Sequence, residues 1–167
     1  MSPEVSPAGF QVGWGFDAHP LNGKPPLLLG GVTVSETVGV SATSDGDVLA
    51  HAVIDALLGA CSLGDLGEHF PSDDPALKGA DSMELLGRTV VMATKSGWQV
   101  NHVDATVVAE TVRIASFRGE IRARLAEALG LAVESVSVKA TTTDGLGFIG
   151  SGEGLAVVAV VTVGALP

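Results

Sequence analysis

The order of apolar and polar positions predicts a chain in which strands alternate with helices. Apolar runs of strand length, several rich in valine, lie at residues 10–16, 27–34, 98–110, 135–140 and 155–163. Helical patterns lie at residues 47–61, 82–95 and 117–130. The first of these helices is apolar on nearly every face, which is typical of a buried helix. The alternation favours an α/β (α+β) fold, a mixed β-sheet with a layer of helices on one face.

Polar residues mark where the predicted helices begin and where the long connections lie. Ser44 and Asp47 have the spacing of a capping box, so the first helix is expected to begin there, and Ser82 is expected to cap the second. Residues 64–79 and 141–154 form long polar, glycine-containing connections. Long connections in compact domains often carry function, so candidate site residues are sought there first.

Length and composition indicate one globular domain. The chain has 167 residues, of which 46% are hydrophobic and 17% charged, and this balance excludes a disordered protein. Residues 1–9 contain two prolines and are predicted to be a flexible start before a single domain at 10–167. No secretory signal is evident, and the apolar run at 155–163 is too short to span a membrane. With one cysteine, Cys61, and hence no internal disulfide, a cytoplasmic protein without a membrane partner is expected, or a stromal one after transit-peptide removal.

The charge of the chain restricts its partners. Nine basic against 19 acidic residues give a net charge of −10, which would repel a phosphate backbone and disfavours nucleic acid as a partner. An anionic small molecule would therefore have to be held by metal ions, backbone amides or a few placed cations.

Three residues distant in sequence suggest a metal site. Asp17 and His19 are two positions apart at the end of a predicted strand, so their side chains share one side of the backbone. His51 lies in an apolar helix with Asp47 and Asp55 four residues before and after it, and either acid could accept the second N–H of the imidazole. Two interpretations follow: a core histidine paired with Asp55, or the third ligand of a catalytic zinc site with its fourth position open.

A second candidate is the segment T-T-T-D-G at 141–145, which precedes a run of glycines. Converging backbone amides can cradle an anion, and Asp144 beside them could hold a magnesium ion on phosphate oxygens. The alternative is an ordinary hairpin loop, and composition does not decide between the two.

Five runs of sequence are similar to those of the 2-C-methyl-D-erythritol 2,4-cyclodiphosphate synthase family of the non-mevalonate isoprenoid pathway. The runs are G-F-D-A-H at 15–19, S-D-G-D-V-L-A-H-A-V-I-D-A-L-L-G-A at 44–60, G-D-L-G-E-H-F-P at 64–71, D-P-A-L-K-G-A-D-S at 74–82 and A-T-T-T-D-G-L-G-F-I-G-S-G-E-G at 140–154. The resemblance implies a homotrimer whose sheets face a threefold axis, with active sites between neighbouring subunits. It also implies a lyase that converts 4-diphosphocytidyl-2-C-methyl-D-erythritol 2-phosphate into the cyclic diphosphate and releases CMP.

The resemblance further implies roles for individual residues. Asp17, His19 and His51 would bind one zinc ion per subunit, Asp144 would bind magnesium or manganese with the diphosphate, and Thr142 and Thr43 would be catalytic. The residues expected to contact the cytidyl diphosphate substrate are Asp17, Ala18, His19, Thr43, Ser44, Asp65, Leu66, Gly67, Phe70, Pro71, Ser72, Asp73, Asp74, Ala109, Glu110, Thr111, Val112, Arg113, Ile114, Ala115, Thr141, Thr142, Thr143, Asp144, Phe148 and Ser151.

Three positions depart from the pattern that the resemblance implies. Thr43 stands where the family usually has histidine, Asp144 where it commonly has glutamate, and Ser151 where it has arginine. The loss of that arginine predicts that a cavity on the threefold axis would not bind a prenyl diphosphate tightly. Two alternatives to the cyclase stay open: a zinc-dependent phosphohydrolase, and a catalytically impaired trimeric metal-binding scaffold.

Overall fold

The computed structural model describes residues 9–167, so the expected flexible start lies, apart from Gly9, outside the described residues. The strands are β1 (Phe10–Pro20), β2 (Leu27–Leu29), β3 (Val32–Ser35), β4 (Trp98–Val108), β5 (Val136–Thr141) and β6 (Gly154–Ala165). The helices are α1 (Val48–Ala60), α2 (Leu66–His69), α3 (Ser82–Lys95), α4 (Arg118–Leu129) and α5 (Gly147–Gly150), with 3₁₀ turns at Pro75–Leu77 and Val133–Ser135. Across the described residues, no helix has the length and apolar character needed to cross a bilayer.

Four strands form a mixed sheet in the order β1-β6-β4-β5, which confirms the expected sheet type. β6 runs antiparallel to both β1 and β4, whereas β5 runs parallel to β4. The face of the sheet that carries Val157, Ala159 and Val161 is fully buried against the helices. The opposite face exposes Trp14 and Phe16 by 62% and 47%, so the helices form a layer on one face only.

Glycines in β1 allow the buried helix α1 to lie directly on the strand. A Cβ atom added at Gly13 would lie 1.8 Å from the carbonyl oxygen of Ala56, and one at Gly15 would lie 2.0 Å from that of Ala52. No larger residue fits at either position without moving the helix. This close approach brings the first turns of α1 next to the last residues of β1.

The strand predicted at 27–34 is wrong, because the chain reverses in the middle of it. β2 and β3 form a separate antiparallel hairpin whose two-residue turn is Gly30–Gly31, with φ angles of 61° and 74°. Two consecutive positive φ angles define the tight hairpin turn that matches strand twist, and glycine adopts them without strain. Both turn amides donate hydrogen bonds to the fully buried Asp47 carboxylate, at 2.9 and 2.7 Å.

The helix bounds agree with the sequence prediction, but both expected caps are wrong. Asp47, not Ser44, caps α1 by accepting the Ala50 amide, and Asp81, not Ser82, caps α3 by accepting the Met83 and Glu84 amides. In each case an aspartate next to the first turn outcompetes the serine because its carboxylate accepts more strongly at the positive end of the helix.

Candidate active site

Asp17, His19 and His51 converge at the end of β1, as the sequence predicted. The Asp17 Oδ2 atom lies 3.1 Å from His19 Nε2 and 3.1 Å from His51 Nδ1. Asp17 and His19 follow Gly13 and Gly15 on the side of β1 that faces α1, and α1 supplies His51. One ligand atom from each of the three residues lies within 4.8 Å of those of the other two, and they form the one such group found among residues 9–167.

The negative charge of the Asp17 carboxylate, together with the lone pairs of the neighbouring imidazoles, favours a cation between the three side chains. The His19 Nδ1 atom lies 3.0 Å from the Ser41 carbonyl oxygen, to which it donates, so a neutral His19 ring turns the lone pair of Nε2 towards Asp17. Burial raises the pKa of Asp17, but the hydrogen bonds of its carboxyl with His19 and His51 outweigh burial and leave that pKa below its ordinary value. The carboxylate in turn raises the pKa of His19, because a protonated ring would donate to both neighbours.

This set of donors fits a divalent cation such as zinc. Zinc in catalytic sites takes three protein ligands of the imidazole and carboxylate type and leaves a fourth position open. The three side chains are 26%, 20% and 11% exposed for Asp17, His19 and His51, so the group is accessible from one side. A phosphate oxygen could reach a cation held there.

The carboxylates of the two acids expected to support His51 make no hydrogen bond with its imidazole, and this part of the prediction is wrong. Asp47 accepts the amides of Gly30, Gly31 and Ala50, and Asp55 accepts the Leu66 amide at 3.1 Å. The His51 Nε2 atom instead lies 2.9 Å from Ser82 Oγ and 3.1 Å from Ser44 Oγ. Only the position of Ser82 at the end of a polar run, D-S before an apolar helix, marked it in the sequence.

A pocket surrounds the triad and gathers many of the residues expected to bind substrate. Its walls include Ala42, Thr43, Ser44, Leu66, Phe70, Pro71, Ser72, Leu77 and Leu85. An adjoining pocket shares Asp17 and His51 and is lined also by Phe16, Asp55, Asp65 and Gly67. Sequence reasoning missed Arg88, whose guanidinium lies 4.9 Å from the centre of the Phe70 ring and holds that wall by a cation–π contact.

The loop beyond Ser72 is used partly for local structure. Asp74 accepts the Ala76 amide at 2.9 Å and caps the 3₁₀ turn at Pro75–Leu77, while Asp73 is exposed beside it.

A shallow depression next to His19 is lined by Ala18, Pro20, Phe148 and Glu153. Ser151 is exposed and donates to Glu153 Oε1 at 2.9 Å.

The remaining candidates form a second group around the ends of β4 and β5. A separate pocket is lined by Ala109, Val112, Arg113, Ile114, Ala115, Arg118, Ala140, Thr141 and Thr142. Glu110 Oε2 accepts the Thr143 amide at 3.3 Å, which ties the two loops of this group together, and Thr111 lies exposed between them. This pocket shares no lining residue with the two pockets at the triad.

The T-T-T-D segment is a sharp turn, and the hairpin interpretation of it is wrong. β5 pairs with β4 and β6 pairs with β1 and β4, so the segment joins two strands that are not neighbours. Asp144 adopts a left-handed backbone with φ of 51°, and its Oδ1 atom accepts from Thr142 Oγ1 at 3.4 Å. The hydroxyls of Thr141 and Thr142 therefore line the pocket at the ends of β4 and β5, and the exposed carboxylate of Asp144 follows them in the chain.

Known proteins resemble the chain over most of its length. Two curated relatives, both named 2-C-methyl-D-erythritol 2,4-cyclodiphosphate synthase, are those of Pseudomonas aeruginosa strain UCBPP-PA14 and of Thioalkalivibrio sulfidiphilus. The first is 50% identical over 90% of this chain and 96% of its own length, and the second is 49% identical over 92% and 96%.

Solved structures agree with these relatives. The bifunctional IspDF of Campylobacter jejuni superposes with a TM-score of 0.92 and 41% identity; the match covers 95% of this chain and 43% of that larger protein. The IspF of Plasmodium falciparum, solved as a CDP complex, superposes with a TM-score of 0.82 and 28% identity over 95% of this chain and 98% of its own. The YgbB family model matches residues 10–164, and the chain belongs to the YgbB family.

Proposed function

We propose that the chain is a 2-C-methyl-D-erythritol 2,4-cyclodiphosphate synthase. It converts 4-diphosphocytidyl-2-C-methyl-D-erythritol 2-phosphate into the cyclic diphosphate and CMP. The observation that carries this proposal is the convergence of Asp17, His19 and His51 in a chain half identical to curated synthases over nine tenths of its length. The CDP bound by a structural neighbour supports a cytidyl nucleotide as part of the substrate.

The reaction needs no nucleophile from the protein. The 2-phosphate of the substrate attacks its own β-phosphorus in line, the bond from that phosphorus to the CMP oxygen breaks, and CMP departs with the electron pair. Catalysis is then a matter of positioning and charge neutralisation, as is usual in phosphoryl transfer. Since the protein carries a net charge of −10, cations must offset the charge of the substrate.

Each metal has a proposed place among the described residues. Asp17, His19 and His51 would hold zinc, which supplies a Lewis acid that polarises one phosphate. Asp144 would hold magnesium or manganese, which neutralises diphosphate charge as CMP leaves. The Thr43 and Ser44 hydroxyls line the triad pocket and would donate to phosphate oxygens there, so Thr43 would take over part of the role of the histidine that it replaces.

The other pocket residues would orient the organic parts of the substrate. We assign the erythritol side to Phe70–Asp74 and the ribose side to Asp65–Gly67, because both segments border the triad. Residues 109–115 would hold cytosine, and residues 141–143 the diphosphate, with the Thr142 hydroxyl stabilising charge on the transferring phosphoryl group. Ala18, Phe148 and Ser151 lie at the outer rim, where a neighbouring subunit could complete the site.

We propose a homotrimer because the two groups of site residues are separate within one chain. The substrate must touch both groups, and the pockets that hold them share no residue. The face of the sheet that exposes Val12, Trp14 and Phe16 offers an apolar surface for neighbours around a threefold axis.

Mass analysis of the products tests the proposed reaction. The zinc-loaded protein is incubated with the cytidyl substrate and Mg²⁺, and CMP together with a cyclic product that has gained no water is expected. A product heavier by one water would show a phosphohydrolase, which the open metal triad also permits. Bound zinc without any CMP would show an inactive scaffold, and either result would overturn the cyclase.

A further inference from the structure

The side of His51 that faces away from Asp17 is held by buried hydroxyls. Ser82 Oγ lies 2.9 Å from His51 Nε2, and Ser82 is fully buried at the start of α3. Ser44 Oγ lies 3.1 Å from the same nitrogen, His51 Nε2. A hydroxyl can donate or accept, so these contacts alone do not fix which nitrogen of the imidazole carries the hydrogen.

Asp45 decides the direction of this hydrogen bond. Its Oδ1 atom accepts from the Ser82 hydroxyl at 2.5 Å and from the Asp47 amide at 3.2 Å, and its Oδ2 atom accepts the Ser82 amide at 3.0 Å. A carboxylate has no hydrogen to donate. The Ser82 hydrogen therefore points to Asp45, and a lone pair of Ser82 Oγ is left for His51.

The direction of the Ser82 hydrogen bond determines which nitrogen of His51 is free to bind a metal ion. Because Ser82 Oγ accepts, His51 Nε2 carries the hydrogen when a cation occupies the site, and the lone pair of Nδ1 is then free to bind that cation. Without a cation, Asp17 Oδ2, which lies 3.1 Å from Nδ1, can itself accept a hydrogen from that nitrogen. We propose that Asp45 and Ser82 are positioning residues that select the Nε2–H tautomer of His51 and so present its Nδ1 atom to the cation. This inference rests on the zinc site of the proposed function.

Ser44 cannot replace Ser82 in this role. Its oxygen accepts the Gly46 amide at 3.2 Å and lies 3.5 Å from Ser82 Oγ, but the described contacts give it no carboxylate acceptor. Its hydrogen is therefore not directed away from His51. A carboxylate that orients a metal-bound histidine usually contacts the ring itself; here the hydroxyl of Ser82 stands between them.

Zinc affinity, measured by competition with a chromophoric chelator, tests the proposal without reference to turnover. Ser82→Ala removes the acceptor, so zinc should bind roughly 10–100-fold more weakly than to the unaltered protein. Asp45→Ala should also weaken zinc binding, although Asp45 does not touch the ring. The matched control is Thr89→Val, which removes another fully buried hydroxyl of α3, one that donates to the Leu85 carbonyl, and should leave zinc affinity within about twofold of the original.

Nitrogen-15 NMR of the zinc-free Asp17→Ala variant at about pH 9, above the ordinary histidine pKa of ~6.5, reads the tautomer directly, because this variant lacks the carboxylate that can accept a hydrogen from Nδ1. The Nε2–H form is expected for His51 in Asp17→Ala, and a mixture of forms in Asp17→Ala combined with Ser82→Ala. An Nδ1–H form in Asp17→Ala would overturn the inference, as would a Ser82→Ala protein that binds zinc normally. An unaltered protein that binds no zinc would instead overturn the proposed metal site.

Discussion

At the scale of single residues, Asp17 joins the two halves of the candidate metal centre. Its Oδ2 atom is the common neighbour of His19 Nε2 and His51 Nδ1, each 3.1 Å away. The histidines come from different elements, so the carboxylate is what joins the strand to the helix at this point. A neutral group in its place would leave two imidazoles without the negative charge that favours a cation between them.

Replacement of Asp17 by asparagine is therefore expected to abolish zinc binding while the fold remains. The amide has the shape of the carboxylate but not its charge, and zinc content measured after dialysis should fall below about one tenth of the original. The side chain is 26% exposed, so the melting temperature of the zinc-free protein should change by only a few degrees.

Asp81→Asn is the matched control for this charge change, because Asp81 is exposed and asparagine also caps helices well. It should keep full zinc content. Stoichiometric zinc in dialysed Asp17→Asn would show that the carboxylate is not a ligand.

The sequence identified the three candidate metal ligands but not the groups that hydrogen-bond to His51. Period two in a strand placed Asp17 and His19 together, and an imidazole in an apolar helix indicated that His51 needed a partner. The i±4 rule places Asp47 and Asp55 on the same helix face as His51, but it does not say which amides approach them from elsewhere. The Gly30–Gly31 turn and the start of α2 arrive by tertiary packing, which no local pattern encodes.

At the scale of elements, the contact between β1 and α1 determines whether the triad can form. Gly13 and Gly15 lie under the carbonyl groups of Ala56 and Ala52, and the next residue on that face of the strand is Asp17. The distance from strand to helix is thus set by the absence of two side chains. His51 reaches Asp17 only because this distance is short.

Gly15→Ala should therefore damage both stability and the metal site. The new Cβ would lie 2.0 Å from a backbone oxygen, which has no rotamer that relieves the clash, so α1 must shift. We expect a loss of roughly 1–3 kcal/mol in the free energy of unfolding by urea, together with weaker zinc binding.

Gly59→Ala in the same helix is the contrasting control, since nothing lies within 4 Å of its added Cβ. It should raise stability by about 0.5–1 kcal/mol and leave zinc affinity unchanged. A Gly15→Ala protein that keeps the stability and zinc affinity of the unaltered chain would mean that the close approach of β1 and α1 does not govern the metal site.

The elements themselves were predicted well where hydrophobic periodicity is long and poorly where a turn interrupts an apolar run. The bounds of α1, α3 and α4 follow the sequence closely. Residues 27–34 were interpreted as one strand because leucine and valine continue on both sides of Gly30–Gly31. A pair of glycines between apolar runs is itself a signal for a two-residue hairpin turn, and here it outweighs the apolar continuity.

At the scale of the whole molecule, the face of the sheet opposite the helices exposes aromatic side chains. Trp14 stacks on Phe16 with ring centres 6.1 Å apart, and both rings face solvent in the isolated chain. Asp104 and Lys139 form an ion pair, 2.6 Å between Oδ2 and Nζ, while the other Asp104 oxygen is buried without a hydrogen bond. Exposed aromatic side chains on a sheet face often mark a surface that binds another protein, so this face is where the proposed trimer would assemble.

Trp14→Glu is expected to dissociate the proposed trimer. Three added carboxylates would face one another across the axis in a surface that must exclude water. Light scattering should then give a mass near the chain mass of 16.8 kDa instead of three times that value. Val91→Glu is the control, because Val91 is 51% exposed on α3, away from the sheet face, and the variant should remain trimeric. A Trp14→Glu protein with the trimeric mass would place the interface elsewhere.

If the active site lies between subunits, two inactive variants should restore activity in mixed assemblies. Asp17→Asn damages the triad group and Asp144→Ala the second group, so each homotrimer should be inactive. In a trimer assembled at random from equal amounts, about a quarter of the interfaces would combine an intact triad with an intact Asp144, giving about a quarter of the unaltered activity.

Mixing Asp17→Asn with His51→Ala provides the control, because both substitutions damage the same group and no interface can then be intact. Activity should stay at background in that mixture. Background activity in the first mixture as well, with subunit exchange verified by mass spectrometry, would mean that the triad and Asp144 of one chain serve the same site. The pockets of the single chain argue against that outcome, because the pocket around the triad and the pocket around Thr142 have no lining residue in common.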